Sequence, residues 1–466
     1  MLLTTLLSVY FVAFADKAGT DHIALSSLAV EMREANHIAL DSLDYAVSAA
    51  YLDSVRSAGA EVLHTSRWMN GATIKATPAT AEHIAAYPFV LSIEQTRNDE
   101  QTYSQHIGRR KQQVSTATDI DYGYARKQLE KYNLLPLHES GYHGQGIRMA
   151  VIDGGFENAN TLAAFDSVRT QILGHYDLTD DPYDFFGSTG FHGTMCLSAI
   201  AAIRENYHGA ATGAQYYIMR TEEYDTESPK ELDNWVAAIE LADSLGAQIS
   251  STSLGYAEFD DPAFNFTYED MDGRSNRASK AATIAARKGM LVVVAAGNEG
   301  SKPWHYISAP ADADSILSVG AVDSEGYIAP FSSYGPASDG RTKPDVCAVG
   351  WQTVLIQPSS NEIVASNGTS FACPLLAGMA ACLWSALPDE NAMQIRQRII
   401  RSAHLYASPD DHYGYGIPDA LAAYHGTTDI QPVQTEENMP QKTLRNGQVV
   451  IFRGGRYYDI YGRIME

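Results

Sequence analysis

Arg148-Met149-Ala150-Val151-Ile152-Asp153-Gly154-Gly155 is an apolar run that breaks off into an acid and two glycines. A short apolar run stopped by turn residues predicts a strand buried on both faces, as in a parallel sheet. The pattern repeats downstream. Strands are predicted over 215–220, 248–254, 290–296 and 316–322, and helices over 194–203, 231–245 and 278–288. On the second helix Trp235, Ile239 and Ala242 share one face. Alternating strands and helices from residue 141 onward predict an α/β fold, a mostly parallel sheet with helices on both faces. In such sheets functional residues gather beyond the C-terminal ends of the strands. Asp153, Gly255 and Asn298 each stand just past a predicted strand end, so one shared site is expected there.

A second stretch supplies a reactive group. In Asn367-Gly368-Thr369-Ser370-Phe371-Ala372-Cys373-Pro374 a serine precedes the apolar run 375–383, which reads as a buried helix. Ser370 therefore lies at a helix N-terminus, where unpaired N–H groups and the helix dipole favour a developing oxyanion. Pro374 falls in the first turn, where its missing N–H costs little. Taken singly, the serine is ordinarily a helix cap, an Asp after a strand a turn residue, and a His before a helix a satisfied surface group. Together they have a chemical reading. A serine hydroxyl is a weak nucleophile that needs a base, and the base needs an orienting carboxylate. Asp153, His192 and Ser370 occur in that order, each in a glycine-flanked motif.

Val151-Ile152-Asp153-Gly154-Gly155, His192-Gly193-Thr194 and Gly368-Thr369-Ser370-Phe371-Ala372-Cys373-Pro374 resemble the three signatures of the subtilisin-like serine peptidases, the subtilases. Ser253-Leu254-Gly255 resembles their substrate-binding strand, and Ala295-Ala296-Gly297-Asn298 the segment carrying their oxyanion asparagine. Phe331-Ser332-Ser333-Tyr334-Gly335-Pro336, Lys343-Pro344-Asp345 and Tyr413-Gly414-Tyr415-Gly416-Ile417-Pro418 also match. The resemblance implies a subtilisin-like fold and a secreted serine endopeptidase that cleaves protein or peptide substrates through an acyl-enzyme. It assigns Ser370 as nucleophile, His192 as base and then acid, Asp153 as its orienter, Asn298 as oxyanion donor beside the Ser370 N–H, and Ser253, Leu254 and Gly255 as substrate contacts. It implies no cofactor for catalysis. One departure stands out: Gly154 occupies a place where Ser or Thr is common, which weakens hydrogen bonding around Asp153. Two other readings are a silent peptide-binding domain of the same fold and an ester or lipid hydrolase. The full set of reactive residues speaks against the first, and the lack of a Gly-x-Ser-x-Gly elbow against the second.

The rest of the chain divides by composition. Residues 1–9 read as a signal remnant; Ala13-Phe14-Ala15 offers a small-x-small cleavage site, but no Lys or Arg precedes the apolar run. Within 10–96, strands at 10–16, 61–65, 71–76 and 89–94 alternate with helices at 49–56 and 80–87, with a polar, partly helical insert to about 45. That order is a small α+β, ferredoxin-like unit. It resembles the subtilase propeptide, expected to assist folding and then block the enzyme. Residues 97–135 are a polar linker holding Arg109-Arg110-Lys111, a candidate processing site. The catalytic domain spans 136–426. A spacer rich in Thr, Gln, Glu and Pro covers 427–441. The β-rich end, 442–466, carries turn signals at Asn446-Gly447 and Gly454-Gly455. It resembles the C-terminal sorting segment of proteins exported by the type IX route in Bacteroidetes, which would add export machinery as a partner and place the protein outside the cell or on its surface. A β-extension packed on the peptidase is the alternative.

Composition narrows the partners. The chain has 466 residues, 45% of them apolar and 19% charged, a globular composition. Its net charge of −23 disfavours nucleic acid and anionic membranes, so no nucleic-acid partner is expected. No apolar stretch beyond the N-terminus reads as long enough to span a bilayer. The four cysteines, Cys196, Cys347, Cys373 and Cys382, lack CxxC or Cys/His metal spacing. Cys373 and Cys382 lie in the apolar helix and read as buried free thiols. Asp177, Asp180, Asp181 and Asp184 are close enough in sequence for a structural Ca²⁺, but spacing alone does not carry that assignment.

Overall fold

The computed structural model describes residues 7–98, 122–187 and 190–426, and the backbone of 441–445, 448–453, 456–458 and 464–465. The cluster Arg109-Arg110-Lys111 and most of the expected spacer lie outside the described residues. The chain to His425 forms one unit, and Gly426–Glu466 a second.

The first strands, β1 (Ser8–Phe14), β2 (Glu61–Ser66), β3 (Gly71–Ala76) and β4 (Val90–Asn98), pair antiparallel in the order β2-β3-β1-β4. Helices α1 (Ser27–Ala35), α2 (Ala49–Ser57) and α3 (Pro78–Ala85) connect them. Thr77 caps α3 by accepting from Thr80 N, with Pro78 in the first turn. Tyr10, Val12, Phe14, Val55, Ile74 and Ile84 fill the core between sheet and helices. Two boundaries differ from expectation. Strand β1 starts at Ser8, inside the stretch read as a signal remnant, because buried Val9 pairs with Lys75. Strand β4 runs to Asn98, past the predicted end at 94, because the polar residues Gln95 to Arg97 pair with β1.

The larger body opens with α4 (Arg126–Glu130) and α5 (Leu135–Glu139). Leu129, Tyr132 and Leu134 are fully buried there, so the end of the stretch read as linker is core. Polar residues between these three hid them in the sequence. Next come β5 (Arg148–Asp153), β6 (Ile172–Asp177), α6 (His192–Ala201), the hairpin β7 (Ile203–Arg204) and β8 (Tyr207–His208), β9 (Gln215–Arg220), α7 (Lys230–Ser244), β10 (Ile249–Thr252), α8 (Arg277–Arg287), β11 (Leu291–Ala295), β12 (Leu317–Val322) and β13 (Val346–Val349). A second hairpin, β14 (Thr353–Ile356) and β15 (Ile363–Ser366), leads into α9 (Thr369–Ala386), α10 (Ala392–Ser402) and α11 (Ala420–His425). The main sheet has the order β13-β12-β11-β10-β5-β9-β6, and every pair in it is parallel. Side chains alternate across it. Met149 and Val151 of β5 join the core under α6 and α9, while Ala150 and Ile152 join the one under α7 and α8. Both faces are covered, as the unbroken apolar run predicted. The half-exposed edge strand β6 was not expected. Helix α9 is long and apolar enough to cross a membrane, longer than the run 375–383 suggested, yet 89% of it is buried within the protein. It is the central core helix.

The small sheet is fastened to α7 and α8 by buried charges. Glu240 of α7 accepts from the backbone N–H of Arg67 at 2.9 Å and of Trp68 at 3.2 Å. One turn on, both oxygens of Asp243 accept from the Nη2 of Arg33 of α1, 2.7 Å each, and a further bond comes from Arg67. Arg33 also donates to the carbonyl of Lys288 at the end of α8, and Lys288 Nζ meets Asp44 at 2.6 Å. Arg277 of α8 bridges Asp233 and Glu94, 2.7 Å to each.

The second unit is described by its strands alone. β16 (Gln441–Arg445), β17 (Gln448–Arg453), β18 (Arg456–Tyr458) and β19 (Ile464–Met465) pair antiparallel in sequence order.

Candidate active site

The polypeptide brings the predicted site residues to one end of the main sheet. Asp153 is the last residue of β5 and is fully buried. Its Oδ1 accepts from Gly154 N at 2.8 Å and from His192 Nδ1 at 2.6 Å. That second bond fixes the imidazole tautomer, with the proton on Nδ1 and the lone pair on Nε2. Asp153 Oδ2 is buried with no hydrogen-bond partner among the described residues. A Cβ added at Gly154 would meet Glu222 Cγ at 3.3 Å.

His192 is the first residue of α6, and its side chain is 23% exposed. The helix can start this close to β5 because Gly193 follows. A Cβ there would sit 2.6 Å from Gly155 O and 2.8 Å from Asp153 Cβ. Ser370 is the second residue of α9, whose first amides have no intrahelical acceptor. Cys196, one turn along α6 from His192, ties the two helix starts together. Its Sγ lies 3.3 Å from Ser370 O and 3.8 Å from His192 Nδ1. The Phe371 and His192 rings are 5.6 Å apart. Sequence reading passed over Cys196, although its spacing four residues after His192 places it on the same helix face.

Ser253, just past β10, donates to Ser370 O at 2.7 Å, and its own carbonyl accepts from Ser370 Oγ at 3.4 Å. Leu254 is half-buried and Gly255 exposed, leaving this edge open to an extended peptide. Asn298, past β11, is held by its oxygen: Oδ1 accepts from Thr369 N at 2.8 Å and Thr369 Oγ1 at 3.1 Å. Its amide NH₂ makes no hydrogen bond among the described residues and is left to donate next to Ser370. All seven predicted site residues are therefore at the same sheet end.

The cysteines are free and buried. Burial drives the Cys373 thiol up to about 12 and the Cys196 thiol well above its ordinary value, so both stay protonated and serine is the nucleophile on offer. The four aspartates considered for calcium each have protein partners. Asp177 and Asp181 face Arg220, Asp180 pairs with Lys230 at 2.7 Å, and Asp184 accepts from Phe186 N.

Comparison with known proteins identifies related families and sequences. A family model described as the subtilase family matches residues 144–416, and one described as the peptidase S8 propeptide domain of Bacteroidota matches 9–117. A thermostable alkaline protease of Halalkalibacterium halodurans is 31% identical over 290 residues, 62% of this chain and 70% of the relative. A thermophilic serine proteinase of Bacillus sp. strain AK1 is 30% identical over 272 residues, 58% of this chain and 60% of the relative. Subtilisin DY of Bacillus licheniformis is 28% identical over 310 residues, 66% of this chain and 99% of the relative.

Proposed function

The chain belongs to the subtilase family of serine endopeptidases, and from that premise we propose that Asp153, His192 and Ser370 form its catalytic triad and Asn298 its oxyanion donor. The observation that carries this reading is the 2.6 Å bond from His192 Nδ1 to a fully buried Asp153, which leaves Nε2 as a base. Ser370 Oγ attacks the scissile carbonyl and His192 Nε2 takes its proton. In the resting protein Oγ points at Ser253 O over 3.4 Å, a contact weak enough to be given up. The oxyanion is met by Asn298 Nδ2 and Ser370 N–H. His192 then protonates the leaving amine, and water resolves the acyl-enzyme by the same path in reverse. No step calls for a cofactor.

The test is direct. A fluorophosphonate should label the wild-type protein at Ser370, and the protein should digest casein but not triglyceride. Failure to label would restore the silent-domain reading. Replacing Asn298 with Ala should lower kcat by about 10²–10³ with KM little changed, the scale known for the oxyanion asparagine of subtilisin. An effect confined to KM would make Asn298 a substrate contact.

Residues 8–98 act as propeptide, the cut falls within 99–121, and the enzyme follows from the buried start of the larger body to 426; the docked antiparallel sheet and the propeptide match over 9–117 support this. The protein works outside the cell or on its surface, as propeptide-bearing subtilases do. The end segment 442–466 serves export. Its deletion should leave hydrolysis intact but stop secretion or surface attachment, measured as activity in medium against cell lysate. Loss of folding on deletion would instead favour a packed β-extension.

A further inference from the structure

The loop from β9 to α7 and the start of α7 hold three glutamates that the catalytic scheme does not use. Oxygens of Glu222, Glu227 and Glu231 all lie within 4.8 Å of one another. Glu231 is 1% exposed and forms the floor; Glu222 and Glu227 are half-buried. None of the three has an ion pair among the described residues. Nearby carboxylates are treated differently: Glu223 pairs with Lys230, and Asp233 with Arg277.

Three further observations point to what the cluster takes. Ser228, 8% exposed, has a hydroxyl without a partner among the described residues, and it lines one cleft with Thr226, Glu227 and Asp260. The basic residue lining that cleft is Arg97 of β4, which reaches Asp180 at 3.3 Å and Glu223 at 3.7 Å. The strand that must lie N-terminal to any cut in the linker thus arrives with a guanidinium. Finally, Glu222 packs on Gly154 beside Asp153 and accepts from the Tyr256 hydroxyl at 2.7 Å, next to Gly255. The cluster therefore borders the catalytic carboxylate and the substrate edge.

We infer that Glu222, Glu227 and Glu231, with Ser228, form a subsite for a basic side chain of the substrate, lysine or arginine, N-terminal to the scissile bond. The inference rests on the endopeptidase reading and names its substrate class. An ammonium or guanidinium supplies N–H donors to the Glu227 carboxylate and the second oxygen of Glu222, which accept none among the described residues, and to the Ser228 hydroxyl oxygen. A divalent metal fits less well. Both Glu231 oxygens already accept backbone N–H bonds, from Glu223 at 2.9 Å and Ser228 at 3.1 Å, so they are not free for the many oxygen ligands a divalent ion takes. The chain carries its own matching sequence, Arg109-Arg110-Lys111, in the linker.

Burial and mutual repulsion hold Glu222 up to about 8 and Glu227 up to about 7, with Glu231 higher than usual. The groups facing them are Asp153 at the end of β5, Tyr256 after β10, and Asp260 beside Glu227. Because these carboxyl values are raised, the charged form is gained as pH rises, and with it the attraction for a cation.

The test uses the processed enzyme and quenched fluorescent peptides carrying Arg, Lys, Ala, Leu or Glu singly at the four positions before the scissile bond. At one position Arg or Lys should exceed Ala in kcat/KM by about tenfold or more, the effect of one well-paired charge. That ratio should climb between about pH 6 and 9. The pair Glu222→Gln and Glu227→Gln should bring it to within about twofold of one. Equal rates for Arg, Ala and Leu at every position would overturn the subsite while neutral peptides, still cleaved, uphold the endopeptidase. A preference abolished by EGTA and restored by Ca²⁺ would overturn it in favour of a metal. No cleavage of any peptide by labelled enzyme would overturn both readings.

Discussion

Ser370→Ala is expected to lower kcat by about 10⁶, the scale known for the triad of subtilisin, while the folded state survives. The substitution removes one oxygen from a buried position whose backbone partners, Ser253 Oγ and Cys196 Sγ, bind the Ser370 carbonyl rather than its side chain. The thermal midpoint should therefore move little. His192→Ala should cost about as much, because without a base the hydroxyl stays protonated. Asp153→Asn should cost about 10⁴, since an amide at Oδ1 turns the imidazole to the wrong tautomer. If processing is self-made, Ser370→Ala should also accumulate as the uncut precursor, seen on a denaturing gel. Casein hydrolysis retained at most of the wild-type rate by Ser370→Ala would remove Ser370 from the mechanism.

The second large effect is expected at the propeptide interface. Arg33→Ala leaves Asp243 and Asp44, both almost wholly buried, short of a guanidinium they share. Removing one partner of a buried pair costs about 3–5 kcal/mol. The inhibition constant of the separated propeptide should therefore rise by at least about 100-fold. Asp243→Ala on the enzyme side should do the same, because Asp243 serves both Arg33 and Arg67. Measuring both variants separates interface loss from damage within the propeptide, since Asp243 belongs to α7. An unchanged inhibition constant in both would mean that the apolar contacts alone hold the complex.

The site was legible because its residues sit at punctuation. Asp153 ends an apolar run, Asn298 follows another, and His192 and Ser370 open helices beside glycines; local sequence fixes each of those positions. What depended on distant partners was not legible. Arg33 sits in a polar insert, and its meaning comes from Asp243, far along the chain. The partners of the aspartates 177 to 184 were likewise hidden, because Arg220 and Lys230, which engage three of them, arrive from another strand and helix. Strand β4 was cut short because its last residues are polar on both sides, and only pairing with β1 shows that they continue it.

The fastening of the small sheet by Arg33, Arg67 and Lys288 has a consequence for what a cut in residues 99–121 does. While the peptide bond is intact, the inhibitor is tethered, and a covalent link of this length presents it at an effective concentration near millimolar. No contact at the interface changes when the bond is broken. Only the reference concentration does, falling from millimolar to whatever the surroundings hold. Cleavage thus acts as a dilution switch. Crowded inside a compartment the severed sheet stays bound, and release into a large volume frees the cleft. The strength of the buried ion cluster sets the volume at which that happens.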